Sequence, residues 1–458
     1  MSSVACRAAR DAPARRRIPS GSKHEALGTT HHSRLSLRSS RRTTFTPMPS
    51  RSAPHLLLTY DFPPLRGGIA RYMAEVARRY APGRLVVSTG THAGVGDADL
   101  GLPNRVDRLP MDAQKLRNAH GLLRWSRRAR ALARETGAEF VWCGNVRPAA
   151  YPAEWVRRRE GTPYGVIFHG SDVLKLRRRA EQVRVKRWLY RPLLANAAVL
   201  APNSRWTASQ CHALLDALEI PLPRERVRVV PLGTDPAHFR PGLDTRAVRE
   251  RYSLPEGRWL VTVARLAAEK GLDTGMRVLA ALVADYPDLR YLIVVAGSTE
   301  PLPAFEREAV RLGVHDRIHF LAGVADADLP AVVNVGDVYL GLSRRTEIWE
   351  EGFGIALAEA AACGLPVVAG RSGGTAETVS EGETGILVDS ESPDEAAAAV
   401  RTLLDDSDLA RRLGAAGRTA VERVYNWDRV AVDLTRIGEE FGIPPAGTAA
   451  VPPTERAG

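Results

Sequence analysis

The stretch WLVTVARLAAEKGLDT (259–274) points to the fold class. Its first six residues are apolar or β-branched, which favours a buried strand. A polar segment with Arg265 and Lys270 follows, and a helical pattern begins near Leu272. Open α/β sheets bind ligands where their strands end. The stretch therefore predicts an α/β domain with two cations at a ligand-binding edge.

Strand-like segments recur outward from this stretch in both directions, each separated from the next by a helical pattern. Towards the C-terminus they are YLIVVAG (291–297), RIHFLAG (317–323), VYLGL (338–342), LPVVAG (365–370) and GILVD (385–389). Towards the N-terminus they lie at 56–58, 85–87, 140–142, 165–168 and 199–201. Alternating strands and helices predict parallel sheets covered on both faces. Two such series predict an α/β protein of two Rossmann-like, doubly wound domains facing a cleft.

The domain boundaries follow from the join between the two series, near PLGTDPAHFRPG (231–242). We expect an N-terminal domain over residues 52–240 and a C-terminal domain over 241–425. A helix at 426–440 is expected to cross back to the N-terminal domain, and 441–458 to be a disordered tail.

The N-terminal segment differs in composition from the rest of the chain. Residues 1–51 hold eleven Lys or Arg and two acidic residues, so they supply +9 of the net charge of +12. They show no apolar periodicity, which indicates disorder. Three interpretations stay open: a basic tail, a transit-type presequence, and a mis-called start upstream of Met48, which we favour. Because the charge excess lies in this segment, we expect no nucleic-acid partner.

Several classes of protein are disfavoured by what the sequence lacks. No apolar run reaches the roughly 18 residues of a membrane span. The four cysteines are scattered, which argues against a structural metal and favours a reduced, cytoplasmic compartment. Neither G-x-G-x-x-G nor G-x-x-x-x-G-K-[ST] occurs, which weakens a dinucleotide-dependent oxidoreductase and excludes a P-loop NTPase. We expect no bound cofactor and no divalent metal.

Arg265 and Lys270 are the first candidate site residues. A guanidinium and an ammonium beside a helix N-terminus suit a pyrophosphate. The alternative is a pair of ordinary surface cations.

A second candidate site lies in EEGFGIALAEAAACGLPVVAG (350–370). Glu351 precedes a Gly-Phe-Gly loop whose glycines let backbone amides approach a ligand at the start of a helix. Glu359 follows eight residues on, about 12 Å along a helix, which is wider than the roughly 5–9.5 Å of a glycosidase carboxyl pair. The two glutamates therefore suit the two ends of an extended ligand, a sugar and a ribose.

Taken together and in order, these motifs resemble the retaining glycosyltransferases of family four, which have the GT-B fold. The resemblance covers about residues 54–435. Its motifs are Arg265-x4-Lys270, Glu351-x7-Glu359, RSGGTAETVSEGETGILVD (371–389), Gly67-Gly68, FHGSD (168–172) and VVPLGTDPAHFRP (229–241).

The resemblance implies a role for each matching residue. Arg265 and Lys270 would neutralise the donor diphosphate, and Glu359 would hold the ribose. Glu351, with the amides of Gly352, Phe353 and Gly354, would bind the donor sugar, and the Gly68 amide would reach the diphosphate from the other domain. His169 would contact the sugar near its anomeric carbon, although a structural strand-end histidine is the alternative. Asp61, Gly67 and Asp172 are candidates on the acceptor side.

A closer resemblance to one branch of the family suggests the donor and the acceptor. The motifs look most like the phosphatidylinositol-mannoside branch, whose donor is GDP-mannose, so mannose transfer to a lipid or glycan is expected. SRRTEIWEE (343–351) only loosely follows that branch's glycine-rich version. The alternatives are a UDP-sugar-dependent transferase with a soluble or polysaccharide acceptor, a non-catalytic sugar-nucleotide-binding module, a phosphorylase, and an NAD-dependent oxidoreductase.

Two basic stretches, 115–134 and 174–194, bear on the acceptor. Basic amphipathic helices bind anionic membranes. We expect peripheral contact with such a surface, with Leu122, Leu123 and Trp125 as its apolar part. Solvated helix faces are the alternative.

We predict that residues 1–47 are dispensable, because they hold too few apolar side chains to offset the entropy of ordering. A chain that starts at Met48 should match the full chain in melting temperature and turnover. A large fall in either quantity for the shorter chain would contradict this.

Overall fold

A computed structural model describes residues 53–443, apart from residues 66, 93, 94, 96–98 and 348. This part of the chain forms two six-stranded sheets in which all paired strands are parallel. The strands are β1 (His55–Leu58), β2 (Leu85–Thr91), β3 (Arg105–Asp112), β4 (Phe140–Cys143), β5 (Tyr164–Phe168), β6 (Val199–Pro202), β7 (Trp259–Ala264), β8 (Arg290–Val295), β9 (Ile318–Ala322), β10 (Val338–Gly341), β11 (Val367–Gly370) and β12 (Ile386–Val388). The tails expected at 1–51 and beyond residue 443 lie outside the described residues.

Helices connect and cover the strands. They are α1 (Gly68–Arg79), α2 (Ala119–Thr136), α3 (Ala150–Glu160), α4 (Ser171–Gln182), α5 (Arg184–Ala195), α6 (Arg205–Ala217), α7 (Arg246–Arg251), α8 (Leu272–Leu282), α9 (Leu302–Arg311), α10 (Leu329–Val333), α11 (Ile355–Ala362), α12 (Thr375–Thr378), α13 (Pro393–Asp405), α14 (Ser407–Arg423) and α15 (Trp427–Phe441).

Both sheets have the same strand order. The first runs β3-β2-β1-β4-β5-β6, and the second runs β9-β8-β7-β10-β11-β12 when read from its other edge. The order reverses between β1 and β4 and between β7 and β10, and doubly wound sheets bind ligands in the crevice at such a switch point. The predicted fold class, two Rossmann-like doubly wound domains, is confirmed.

The sheets are buried on both faces because successive side chains of a strand point in opposite directions. Leu56 and Leu58 pack into one apolar cluster of the N-terminal domain, whereas Leu57 packs into the other. That second cluster also contains Trp259 and Val261 of β7, so one apolar core continues from the first domain into the second.

Helix α15 packs against the N-terminal domain after the second sheet is complete. Trp427 stacks on Tyr72 of α1 at a ring-centroid distance of 5.6 Å. Gly438 lies against the buried ring of His55, where an added Cβ would overlap the imidazole. The absence of a side chain at Gly438 therefore lets α15 approach the start of β1.

Three details differ from the sequence-based expectations. Strand β3 was not expected, because it is an edge strand in which half of the residues are charged and only Leu109 is buried. The basic stretch 174–194 is two helices, α4 and α5, that meet at Val183. Trp125 is wholly buried and donates its indole N–H to Ser88 Oγ at 3.1 Å, so its expected contact with a membrane is wrong.

Two further expectations concern the cysteines and membrane-spanning helices. Cys143, Cys211 and Cys363 are buried and free. Within the described segments, no helix is both long and apolar enough to cross a bilayer.

We predict that Gly438→Val destabilises the protein by about 1–3 kcal/mol, because overpacking a filled core typically costs that much. The accompanying gain in helix propensity is only a few tenths of a kcal/mol. Val432→Ala, on the exposed face of the same helix, should be close to neutral. Chemical denaturation measures both, and an unchanged or raised stability for Gly438→Val would show that α15 does not pack this closely.

Candidate active site

Lys270 and Glu351 meet at the switch point of the second sheet. Lys270 ends a short 3₁₀ turn after β7, and Glu351 lies in the loop after β10. The Lys270 ammonium donates to Glu351 Oε2 at 2.5 Å, and Ser343 Oγ donates to the same oxygen at 3.2 Å. Both side chains are less than one-fifth exposed. Two residues predicted from separate motifs are thus in direct contact.

The ammonium of Lys270 also lies over an aromatic ring. Its Nζ is 4.6 Å from the ring centroid of Trp349. The Trp349 carbonyl accepts from the Thr346 amide at 2.8 Å. Arg344 connects the loop after β10 to α8, because it donates hydrogen bonds to both carboxylate oxygens of Asp273, at 2.8 and 3.2 Å. Trp349, in the stretch that only loosely follows the branch's glycine-rich version, therefore helps to orient the predicted cation.

Arg265 lies in the same loop but makes a different contact. It donates to Glu269 at 2.9 Å, and its side chain is 55% exposed. Its guanidinium is therefore accessible at the carboxyl end of β7.

Glu359 is buried in α11 and binds a residue of the other domain. Arg71 of α1 donates to Glu359 Oε1 at 2.5 Å, and the Arg71 guanidinium lies over the Phe239 ring at 5.4 Å. Burial raises the pKa of Glu359, and Arg71 partly offsets that rise. The helix that carries Glu359 begins only at Ile355, so the expectation of eight helical residues between Glu351 and Glu359 is wrong.

The two domains contact each other through the backbone of two glycine-containing loops. Gly170, directly after His169, has a φ of 101°, and a Cβ there would lie 2.6 Å from the Cα of Gly352. A Cβ on Gly352 would overlap the His169 carbonyl oxygen. Glycine is required on both sides, because any side chain would separate the two loops. The Gly373-Gly374 turn packs against the loop that contains Gly352. The Gly374 amide donates to the carbonyl of the preceding residue, Glu351, at 2.8 Å.

Two helices begin at the cleft from opposite sides. Gly68 is the first residue of α1, and a Cβ there would lie 3.8 Å from Ile355 Cδ1 at the start of α11. Gly67 and Gly354 precede these helices, both with positive φ, and the buried Phe353 lies next to Gly354. Helix N-termini carry unpaired amides and partial positive charge. Their convergence suits an anion.

Polar side chains line the facing edge of the N-terminal domain. His169 Nε2 lies 2.6 Å from the Gly144 carbonyl oxygen, so this nitrogen carries the hydrogen and donates it. Asn145 donates to Asp61 Oδ2 at 3.2 Å. Burial raises the pKa of Asp61, while the nearby His169 lowers it. The Asp172 Oδ1 atom accepts from the His169 amide at 2.9 Å.

Two oxygens at this edge have no hydrogen-bond donor among the described residues. They are Asp172 Oδ2 and Asn145 Oδ1, and both are buried. Both oxygens keep an unused capacity to accept a hydrogen bond.

Sequence reasoning missed Arg71, Asn145, Ser343 and Trp349. Arg71 could have been found from the sequence, because it follows Gly67-Gly68 on the first turn of a helix that starts at the carboxyl end of a strand. The others carry no local motif. Among the described residues, no group of three or more His, Cys, Asp or Glu is arranged to hold a metal ion.

Family models and relatives agree with this architecture. The glycosyl transferase 4-like domain matches residues 67–233, and glycosyl transferases group 1 match residues 244–420. A GDP-mannose-dependent alpha-(1-6)-phosphatidylinositol monomannoside mannosyltransferase of Mycobacterium tuberculosis (strain CDC 1551 / Oshkosh) is 33% identical over 394 residues, which are 83% of this chain and 96% of the relative. A GDP-mannose-dependent monoacylated alpha-(1-6)-phosphatidylinositol monomannoside mannosyltransferase of Corynebacterium glutamicum is 28% identical, over 85% of this chain and 98% of the relative.

A solved structure shares the fold. Sucrose-phosphate synthase from Thermosynechococcus elongatus superposes with a TM-score of 0.69 at 21% identity, over 85% of this chain and 99% of that chain. With the two family models, the relatives and this likeness in fold, the chain belongs to the family-four glycosyltransferases of GT-B fold.

Proposed function

We propose that this glycosyltransferase moves mannose, with retention of configuration, from GDP-mannose to a hydroxyl of a phosphatidylinositol-mannoside-type lipid. The observation that carries the proposal is the contact of Lys270 with Glu351 at the switch point of the second sheet, together with two helix N-termini that face each other across the cleft. The names of the relatives supply the donor and the acceptor class.

The donor diphosphate would bind between the cations and the helix ends. Arg265 and Lys270 provide fixed positive charge, and the amides at Gly68 and Gly354 provide donors. Such preorganised groups stabilise charge that develops on a leaving group, so the reaction needs no divalent metal. Glu351 would accept from sugar hydroxyls and Glu359 from the ribose.

The chemistry exchanges one bond at the anomeric carbon. The bond from that carbon to the diphosphate oxygen breaks, and a bond to the acceptor oxygen forms on the same face. The acceptor's proton passes to the departing phosphate. His169, held by Gly144, would lie against the sugar, and Asp61, Asn145 and Asp172 would accept hydrogen bonds from acceptor hydroxyls.

A lipid acceptor also requires contact with a membrane surface, and we infer that α4 and α5 provide it. Val183, Val185 and Trp188 are 44%, 65% and 75% exposed. Four exposed cations with no carboxylate within 4 Å in the described chain flank them, namely Lys175, Arg178, Arg179 and Arg184. Apolar side chains beside free cations suit an anionic lipid surface.

The other basic stretch suits this role less well. Arg128, Arg130 and Arg134 of α2 pair with carboxylates, and Trp125 faces the core. The inferred surface is therefore restricted to α4 and α5.

We predict that Lys270→Ala and Arg265→Ala each lower kcat by on the order of 100-fold, as removal of one group that stabilises a developing anion does. Release of nucleoside diphosphate is followed with a panel of GDP- and UDP-sugars in the presence of EDTA. The control is Arg311→Ala, an exposed ion-paired cation of the same domain. Near wild-type turnover in both variants would refute the diphosphate site, and activity only with UDP-sugars would refute the donor.

We predict that the protein floats with vesicles containing phosphatidylglycerol but not with phosphatidylcholine alone, and that added salt weakens the association. Each surface cation contributes about 1 kcal/mol, so Arg178→Gln with Arg184→Gln should weaken binding about thirtyfold. Trp188→Ala should remove most of the salt-resistant part, whereas Val310→Ala, which shortens an apolar side chain that is 60% exposed on α9, should not. The chain starting at Met48 is used, and its failure to float at low salt would exclude this surface.

A further inference from the structure

The carboxylate of Glu359 presents an electrostatic problem. It is 4% exposed, and its only ionic partner among the described residues is Arg71. Burying a carboxylate disfavours its charged form unless a counter-charge lies close by. That counter-charge comes from α1 of the N-terminal domain, whereas Glu359 belongs to α11 of the C-terminal domain.

The other groups near Glu359 do not supply positive charge. Asp326, in the loop after β9, raises the pKa of Glu359 further. Glu359 in turn raises the pKa values of Tyr339 on β10 and Cys363 at the end of α11. Arg71 therefore faces a carboxylate whose remaining neighbours are acidic or neutral.

The position of Arg71 is itself fixed. Its guanidinium lies over the Phe239 ring at 5.4 Å, and a cation over an aromatic face is attracted to it. Arg71 holds Oε1 of Glu359, and no described residue donates to Oε2. The arginine can therefore balance the charge while an oxygen stays available to a ligand.

An ionised carboxylate accepts from two hydroxyls, whereas a protonated one has to donate one hydrogen. We propose that Arg71 is a positioning residue that completes the nucleotide site from the opposite domain by holding Glu359 in its ionised form. This rests on the proposed ribose-binding role of Glu359. Nucleotide affinity is thereby coupled to the contact between the domains.

The test is GDP binding by calorimetry between pH 6 and pH 8.5, with each variant expressed relative to the wild-type protein at the same pH. That ratio cancels the titration of GDP and of every group that the variants share with the wild-type protein. In Arg71→Gln, the pKa of Glu359 rises, so affinity is lost as the pH falls through it. We expect about tenfold further loss for each pH unit below the raised pKa.

Two variants act as controls. Arg71→Lys keeps the charge and should retain most of the affinity with no added pH dependence. Arg78→Gln removes a cation of the same helix whose one ionic partner within the described chain is Glu75, and this variant should bind GDP as the wild-type protein does. Melting temperatures establish that each variant is folded.

The outcomes separate the inference from the function on which it rests. If Glu359→Gln leaves GDP affinity unchanged, the ribose role of Glu359 is wrong. If Glu359→Gln weakens binding but Arg71→Gln does not, or weakens it equally at every pH, the inference is wrong and the ribose role stands. In the double variant, Arg71→Gln should add no loss to that of Glu359→Gln, because both changes act on one carboxylate.

Discussion

The backbone contact between Gly170 and Gly352 governs the geometry of the whole cleft. With no Cβ on either residue, the loop after β5 and the loop before α11 come within direct contact. Other contacts also cross the cleft. Arg71 reaches Glu359, and the Glu377 carboxylate accepts from the first amides of α6, Arg205 and Trp206, at 2.8 and 2.6 Å. Each of these links pairs a charge of one domain with a charge or helix end of the other.

The sequence predicted those parts of the fold and site that depend on local patterns. Strand β7 matches the expected residues, Trp259–Ala264, because a continuous apolar run bounded by polar residues has few alternatives. Edge strand β3 has no such run and was missed. The burial of Trp125 was also misjudged, although its spacing to Ala129, Leu132 and Ala133 marks one helix face, and all four are buried.

Contacts between distant parts of the chain could not be predicted in the same way. The Arg71–Glu359 pair joins residues 288 positions apart, and no spacing rule connects them. The partners of Lys270 show the same limit. Its place after a strand follows from sequence, but its contacts with Glu351 and Trp349 depend on how the loop after β10 folds back over β7. Sequence motifs thus place single residues at the ends of strands and helices, and the tertiary structure determines which of them come into contact.

The ion pairs of the donor site bear on how it would select its ligand. Lys270 pairs with Glu351, and Glu359 pairs with Arg71. Under the proposed roles, a diphosphate draws Lys270 towards it and leaves Glu351 in need of hydrogen-bond donors. A ligand with hydroxyls next to its diphosphate satisfies both groups, whereas inorganic pyrophosphate leaves a partly buried carboxylate with no counter-charge and only the Ser343 hydroxyl as a donor among the described residues. Unpaired buried charge is costly, so the pairing itself favours a nucleotide sugar over a simple anion.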